Sequence, residues 1–277
     1  IDGACEMVDS EFPQVRMIRN SQRFGFGHNQ NTAIKAAAGR YIFVLNDDTI
    51  VHAGAIDSLT TYLDEHQDVG VAGPRLLNED GTLQHSCYKF PSPLRCVCEN
   101  LLLTAAFPQS RLFGDYRHWS HDTISDVDFV IGAAMMVRKK TIDEIGLFDP
   151  LFFMYAEETD WQKRMHKAGW RIVFYPRAEI THIGGKSSES MKDRQFCEFQ
   201  LSSEKFMAKH YGMTGALTLR ISMIVGALLR LVLWSLVYVL MSGKRKKAKE
   251  NCQKWMRLLR WWLGLGPHAG LSELSAN

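Results

Sequence analysis

With 277 residues, 46% of them hydrophobic and 23% charged, the chain has the makeup of a folded protein and not of a disordered one, with room for one large domain plus appendages or two small domains. A net charge of +3 gives nucleic acid no electrostatic hold as a partner. The six cysteines (Cys5, Cys87, Cys96, Cys98, Cys197 and Cys252) show no zinc-binding spacing, so free thiols in a reducing compartment are expected.

The chain opens on Ile1, Asp2 and Gly3, with neither an initiator Met nor a signal peptide, as expected of a sequence that begins partway into a longer protein. Residues 15–18 predict a short strand, followed by a loop bearing Gly25 and Gly27. Residues 29–38 predict a helix with Gly39 as its C-terminal cap. The unbroken apolar run 41–45 predicts a strand buried on both faces, and it stops abruptly at Asn46, Asp47, Asp48 and Thr49. A helix over 55–66 leads to a second apolar strand, 69–72, closed by Gly73 and Pro74. Strand, helix and strand in this order imply an α/β fold with a mainly parallel sheet flanked by helices, in which ligands bind beyond the carboxyl ends of the strands. Asp47 and Asp48 stand at such an end.

Further along, residues 78–81 predict a hairpin turn, 94–107 an outer helix, and 127–131 and 134–138 strands interrupted at Gly132. Residues 159–168 have helical spacing stopped by Gly169, and 172–175 and 178–182 predict short strands around Pro176. Beyond a polar helix over 191–210, residues 217–241 are long and apolar but carry Arg220 and Arg230. A basic run over 244–249 and an amphipathic segment over 254–263, with Trp255, Trp261 and Trp262, follow.

Two acidic clusters carry the chemistry. Adjacent carboxylates on a loop, Asp47 and Asp48, suit Mg²⁺ or Mn²⁺, hard cations that also take oxygen ligands from a diphosphate. The same residues also suit a turn or a helix cap; their place at the tip of a buried strand favours the metal. Glu157, Glu158 and Asp160 open a helix, where the macrodipole welcomes negative charge. Three acids packed there repel one another, so one should have a raised pKa and, as its carboxylate, could accept a proton from an acceptor hydroxyl. Glu158 and Asp160 are the candidate catalytic residues, and because Asp160 lies four residues before Arg164 on one helix face, Glu158 is the expected base. His182 ends a short strand, and Lys186 lies in a glycine-rich stretch able to close over phosphate oxygens. Gly132 and Ala133 are small residues a substrate can approach closely, and with Glu157 they are the expected acceptor contacts.

These segments, in order, resemble the family-2 glycosyltransferases with the GT-A fold, and particularly their bacterial rhamnosyltransferase-like branch. The matching pieces run from Asn20 to Asn31, from Ala38 to Thr49, then Gly132-Ala133-Ala134-Met135, Gly146-Leu147-Phe148-Asp149, Tyr155 to Trp161, and Pro176 to His182 with Ser187 downstream. The resemblance covers roughly residues 1–210, the expected catalytic domain, with 211–277 as a membrane-associated helical tail. It implies that Asp48 and His182 bind the metal, that Asp47 lies near the ribose and diphosphate, and that Glu158 is the base, although the family usually has Asp there. Asp2 and Asn31 join Asp47 and Lys186 as expected nucleotide contacts, Asp2 with Gly3 matching the end of the family's base-reading segment. The family's first strand would then lie upstream of this chain. It implies a single in-line displacement with inversion, a nucleotide diphosphate sugar as donor and a glycan or lipid-linked glycan as acceptor, in cell-surface polysaccharide synthesis. A nucleotidyltransferase of related architecture would need a basic, glycine-rich loop after its first strand; an inactive carbohydrate-binding relative has no need of both acidic clusters.

Residues 221–241 are long enough to span a bilayer, whose core takes about 20 residues. Arg230 at the middle makes a simple span costly, and the basic run prefers the cytosolic side, where nucleotide sugars also are. A monotopic or re-entrant attachment to the cytoplasmic face of the membrane is therefore expected.

Overall fold

Apolar runs bounded by polar turns set out the strands. In the computed structural model, which describes residues 3–22, 24–110, 113–114, 116, 119–184 and 192–265, helices α1 (Ala4–Glu11) and α2 (Phe26–Ala36) precede strands β1 (Tyr41–Leu45) and β2 (Thr49–Val51). Next come α3 (Ala55–Glu65), the long β3 (Val69–Leu77), and the short β4 (Leu83–Gln84) and β5 (Cys87–Tyr88). Helices α4 (Pro93–Asn100) and α5 (Leu103–Ala106) lead to β6 (Ser125–Asp126), β7 (Phe129–Val130) and β8 (Ala134–Arg138). The series continues with α6 (Lys139–Ile145), α7 (Glu157–Lys167), β9 (Arg171–His182), α8 (Lys192–Leu240) and α9 (Arg245–Trp262).

The α/β layering is as the sequence implies, but the sheet is mixed and not mainly parallel. Its main path runs β1-β8-β3-β9-β2, and along it only β3 and β9 pair in parallel. The reason is insertion. β1 and β3, joined through α3, do point the same way, because each is antiparallel to β8; β8 arrives later in the chain and sits between them. Successive residues alternate between two cores. Val71, Val137 and Ile172 face α2, α6 and α7 through Ile34, Ile142, Trp161 and Met165, whereas Ala72, Met136 and Val173 face Leu59, Tyr62 and Leu63 of α3.

Other expectations shift in detail. Residues 15–18 form no strand; no described strand pairs with them, and Val15 and Ile18 are exposed. The expected breaks at Pro74 and Pro176 are bridged, because both prolines fall at a bulge: β3 pairs Pro74 with Tyr175 and then Arg75 with Glu179, so three residues of β9 loop out. The outer helix is two, α4 and α5, divided at Leu102, whose φ is 63°. α8 breaks at Gly212 (φ 68°, ψ −167°), which separates the polar helix from the apolar one.

Candidate active site

β1 and β9 point the same way, so Leu45 and His182 end at the same edge of the sheet. The chain leaves β1 through a turn pinned on three sides. The Asn46 N–H donates to Ala133 O (2.9 Å), Thr49 Oγ1 donates to Asn46 O (2.7 Å), and the Ile183 N–H donates to Asp48 O (2.9 Å). β2 pairs with β9 so that Thr49 lies opposite His182, which brings the imidazole beside the second aspartate. His182 Nε2 is 3.2 Å from Asp48 Oδ1, an oxygen that is buried and has no hydrogen-bond donor. On the other side of the ring, Nδ1 is 2.7 Å from Gln84 Oε1. Asp47 beside it is exposed.

A buried carboxylate oxygen with no hydrogen-bond partner, beside an imidazole nitrogen, fits one side of a Mg²⁺ or Mn²⁺ site. Among the described residues no group of three or more His, Cys, Asp or Glu side chains forms a ready metal cage. That too fits these cations, which are commonly held by one or two protein ligands plus substrate phosphates and water.

The second acidic cluster is built differently. Tyr155 and Ala156 both have positive φ (68° and 65°), a costly conformation for two consecutive non-glycine residues. They turn the chain directly into α7, so that Glu157 and Glu158 occupy its first turn. α2 braces this turn: the Phe26 N–H donates to Phe153 O, and a Cβ on Gly25 would stand 2.1 Å from that same oxygen, which requires glycine there. Glu157 is 4% exposed, and its Oε2 has no partner. Burial and the neighbouring charge of Glu158 push its pKa up to about 8. Glu158 is more accessible; burial raises its pKa as well, against the pull of the backbone N–H groups of Glu158, Thr159 and Gly132. No Lys or Arg neutralises this pair in any described contact.

Asp160, two residues on, has the opposite surroundings. It is fully buried and meets Arg164 Nε at 3.0 Å, Lys209 Nζ at 2.6 Å and His210 Nε2 at 2.8 Å. Burial alone would raise its pKa, but the hydrogen bonds from His210 and Lys209 and the charge of Arg164 take it down to about 2. The geometry makes it an anchor between α7 and α8.

Gly132 and Ala133 join the two clusters. Ala133 O holds Asn46, while a Cβ on Gly132 would lie 3.4 Å from the Phe26 ring and 3.7 Å from Glu158 Cβ. Both residues are buried and form the wall between the two carboxylate pairs. The Asn31 amide donates to Phe148 O (2.8 Å) and accepts from Phe148 N (2.9 Å), which clamps the loop ahead of α7. Asp2 and Lys186 lie outside the described residues, as does Ser187. Sequence reasoning did not find Gln84, Lys209 or His210. Each reaches its partner across many residues of chain, and no local pattern marks any of them.

Residues 2–197 match a family model described as "Glycosyltransferase like family 2". Among curated proteins, the N-acetylglucosaminyl-diphospho-decaprenol L-rhamnosyltransferase of Mycobacterium tuberculosis is 27% identical over 258 residues, covering 83% of this chain and 81% of its own length. Rhamnosyltransferase WbbL of Escherichia coli is 26% identical over 199 residues, covering 67% of this chain and 71% of its own. Among solved structures, the mannosyltransferase PcManGT from Pyrobaculum calidifontis, in complex with GDP-Man and Mn2+, aligns with a TM-score of 0.49 at 13% identity, over 94% of this chain and 73% of that one.

Proposed function

The chain belongs to glycosyltransferase family 2, and from that premise we propose that it is an inverting, metal-dependent enzyme that passes a hexose from a nucleotide diphosphate sugar to the hydroxyl of a lipid-linked glycan. Rhamnose is the first sugar to test, since both curated relatives are named rhamnosyltransferases, one of them acting on a diphospho-decaprenol-linked sugar. The observation that carries the reading is the pair of unlike carboxylate clusters on either side of the Gly132–Ala133 wall: one meets an imidazole, the other is two adjacent glutamates at the start of α7 with no Lys or Arg in any described contact.

Asp48 and His182 would hold Mg²⁺ or Mn²⁺, with Asp47 beside them toward the nucleotide. When bound, the ion neutralises charge on the departing diphosphate. Glu158 takes the proton of the acceptor hydroxyl as that oxygen bonds to the anomeric carbon and the bond to the diphosphate breaks on the opposite face. One displacement of this kind inverts the carbon. Glu157, buried behind Glu158, keeps a second carboxylate close and so raises the proton affinity of the pair. The direct test is incubation of the full chain with a panel of nucleotide sugars and a polyprenyl-diphosphate-linked sugar acceptor. Release of a nucleoside diphosphate that depends on both acceptor and divalent metal is expected; nucleotide release that ignores both contradicts the reading.

The helical tail adds a membrane surface to the partners. α8 is long and apolar enough to cross a bilayer by length and composition. Its apolar half, however, pairs antiparallel with α9: Arg220 Nε donates to Trp262 O (3.0 Å), and the Arg230 guanidinium lies over the Trp255 ring at 4.7 Å. Arg230 also donates to Asn100 O (2.8 Å) and Glu99 O (2.9 Å) at the end of α4, so its charge faces protein and not lipid. α9 then returns to the catalytic side, where Trp262 Nε1 donates to Gln200 Oε1 and Arg257 pairs with Asp193. Leu217, Ile221, Val225, Leu228, Val232 and Leu236 remain exposed in one stripe along α8.

The far tip of this hairpin carries Lys244, Arg245, Lys246, Lys247 and Lys249, so entering the bilayer tip-first would drag five cations into hydrocarbon. Lying flat puts the stripe in the interface and the basic tip among the headgroups. The proposal is monotopic attachment to the cytoplasmic face. A reporter fused after Asn277 should stay cytoplasmic; a periplasmic reporter contradicts it.

A further inference from the structure

We propose that Gln84 is a positioning residue that fixes His182 in the tautomer able to take a cation; the proposal rests on reading Asp48 and His182 as one side of a metal site. The hairpin between β3 and β4 sets the position of Gln84. Gly81 takes a positive φ of 80°, the Asn78 N–H donates to Thr82 O (2.8 Å), and Asp80 Oδ1 accepts from Thr82 N and Oγ1. The turn sets Gln84 opposite Leu76 of β3, whose other neighbour is Ile180 of β9. From there the Gln84 side chain reaches past the end of β3 to His182.

The orientation of that amide follows from its neighbours. His182 O can only accept, so the Gln84 atom 3.1 Å from it is the nitrogen, Nε2. The same nitrogen is 3.0 Å from Asn78 Oδ1, whose own amide nitrogen donates to Thr82 Oγ1 (2.9 Å). With Nε2 so assigned, the remaining atom, Oε1, is the one 2.7 Å from His182 Nδ1, and because a carbonyl oxygen cannot donate, Nδ1 must carry the hydrogen. In the neutral ring the Nε2 lone pair of His182 is then left beside Asp48 Oδ1, 3.2 Å away. Asn46 Nδ2, 3.5 Å from the same nitrogen, is consistent with an acceptor there. A histidine side chain in water prefers its hydrogen on Nε2, the position that would block a metal; Gln84 reverses the preference through the bond made by the other nitrogen.

Two readouts test this without any activity assay. Long-range ¹H–¹⁵N spectra of the full chain report which nitrogen of His182 carries hydrogen, and Mn²⁺ titrated alone, followed by the EPR signal of the free ion, reports affinity. The wild-type chain should show the Nδ1–H form. Gln84→Leu should move hydrogen to Nε2 and weaken Mn²⁺ binding by about 10–100-fold, with the thermal transition close to wild type. Unchanged tautomer and affinity in a folded Gln84→Leu would overturn the role of Gln84 while Asp48→Ala still loses Mn²⁺. Asp48→Ala that binds Mn²⁺ like the wild type removes the metal site itself and the proposal with it.

Discussion

Asp47–Asp48 and Glu157–Glu158 are both adjacent carboxylates on the border of one wall, and the protein treats them in opposite ways. The aspartates leave the end of a strand, one exposed and one 3.2 Å from an imidazole nitrogen. The glutamates open a helix after a left-handed turn, pressed together and buried, with a pKa near 8 at Glu157. One pair is short of a cation and the other is short of a proton acceptor's usual solvation. A third carboxylate sharpens the contrast: Asp160 has as little solvent as Glu157, but it has two cations and an imidazole against it, which hold its pKa down. Neighbours, not burial alone, decide whether an acid here holds metal, proton or fold.

Breaking the aspartate side should have the largest effect. Asp48→Ala is expected to abolish sugar transfer while the thermal transition stays close to wild type, read by nucleoside diphosphate release beside a melting curve; transfer that survives with unchanged metal dependence contradicts the assignment. Breaking the glutamate side should cost about 10²–10⁴-fold in transfer for Glu158→Gln, since the shape stays and the proton affinity goes. Asp160→Asn should act through stability, losing about 1.5–3 kcal/mol in urea unfolding because the buried acceptor shared by Arg164, Lys209 and His210 loses its charge. If Glu158→Gln transferred normally and Asp160→Asn were folded but dead, the base would be Asp160.

The smallest effect concerns pH. Glu157 ionises near 4.5 when unfolded and near 8 when folded, so between those values the folded state binds more protons. Stability from this group is therefore full below about pH 4.5 and lost as pH rises through about 8. Glu157→Gln should flatten that decline, becoming more stable than wild type above pH 8 and not below pH 5, as measured by melting across the range. A parallel decline in both proteins would place the raised pKa elsewhere.

Much of this was legible in the sequence because the signals are local. The apolar run ending at Asn46, the acids opening α7, and the hairpin turn ending at Gly81 are patterns of a few residues, and each lies where its pattern put it. The sheet's direction was not legible, because strand–helix–strand reads the same whether or not β8 later enters between β1 and β3. The prolines misled for a related reason: Pro74 and Pro176 look like stops until the strands are paired and both fall at one bulge. The structural role of Asn31 was not legible because nothing nearby reveals that Phe148 takes both ends of its amide. Gln84 was invisible because its partner is 98 residues away.

The central claim is a division of labour: Asp48 and His182 hold the metal and diphosphate, and Glu158 takes the proton. Calorimetric titration of a panel of nucleoside diphosphates into the wild type, Asp48→Ala and Glu158→Gln, with and without Mn²⁺, tests it most directly. Metal-dependent binding should appear in the wild type, persist in Glu158→Gln and vanish in Asp48→Ala. Equal loss in both variants, or loss only in Glu158→Gln, would contradict it.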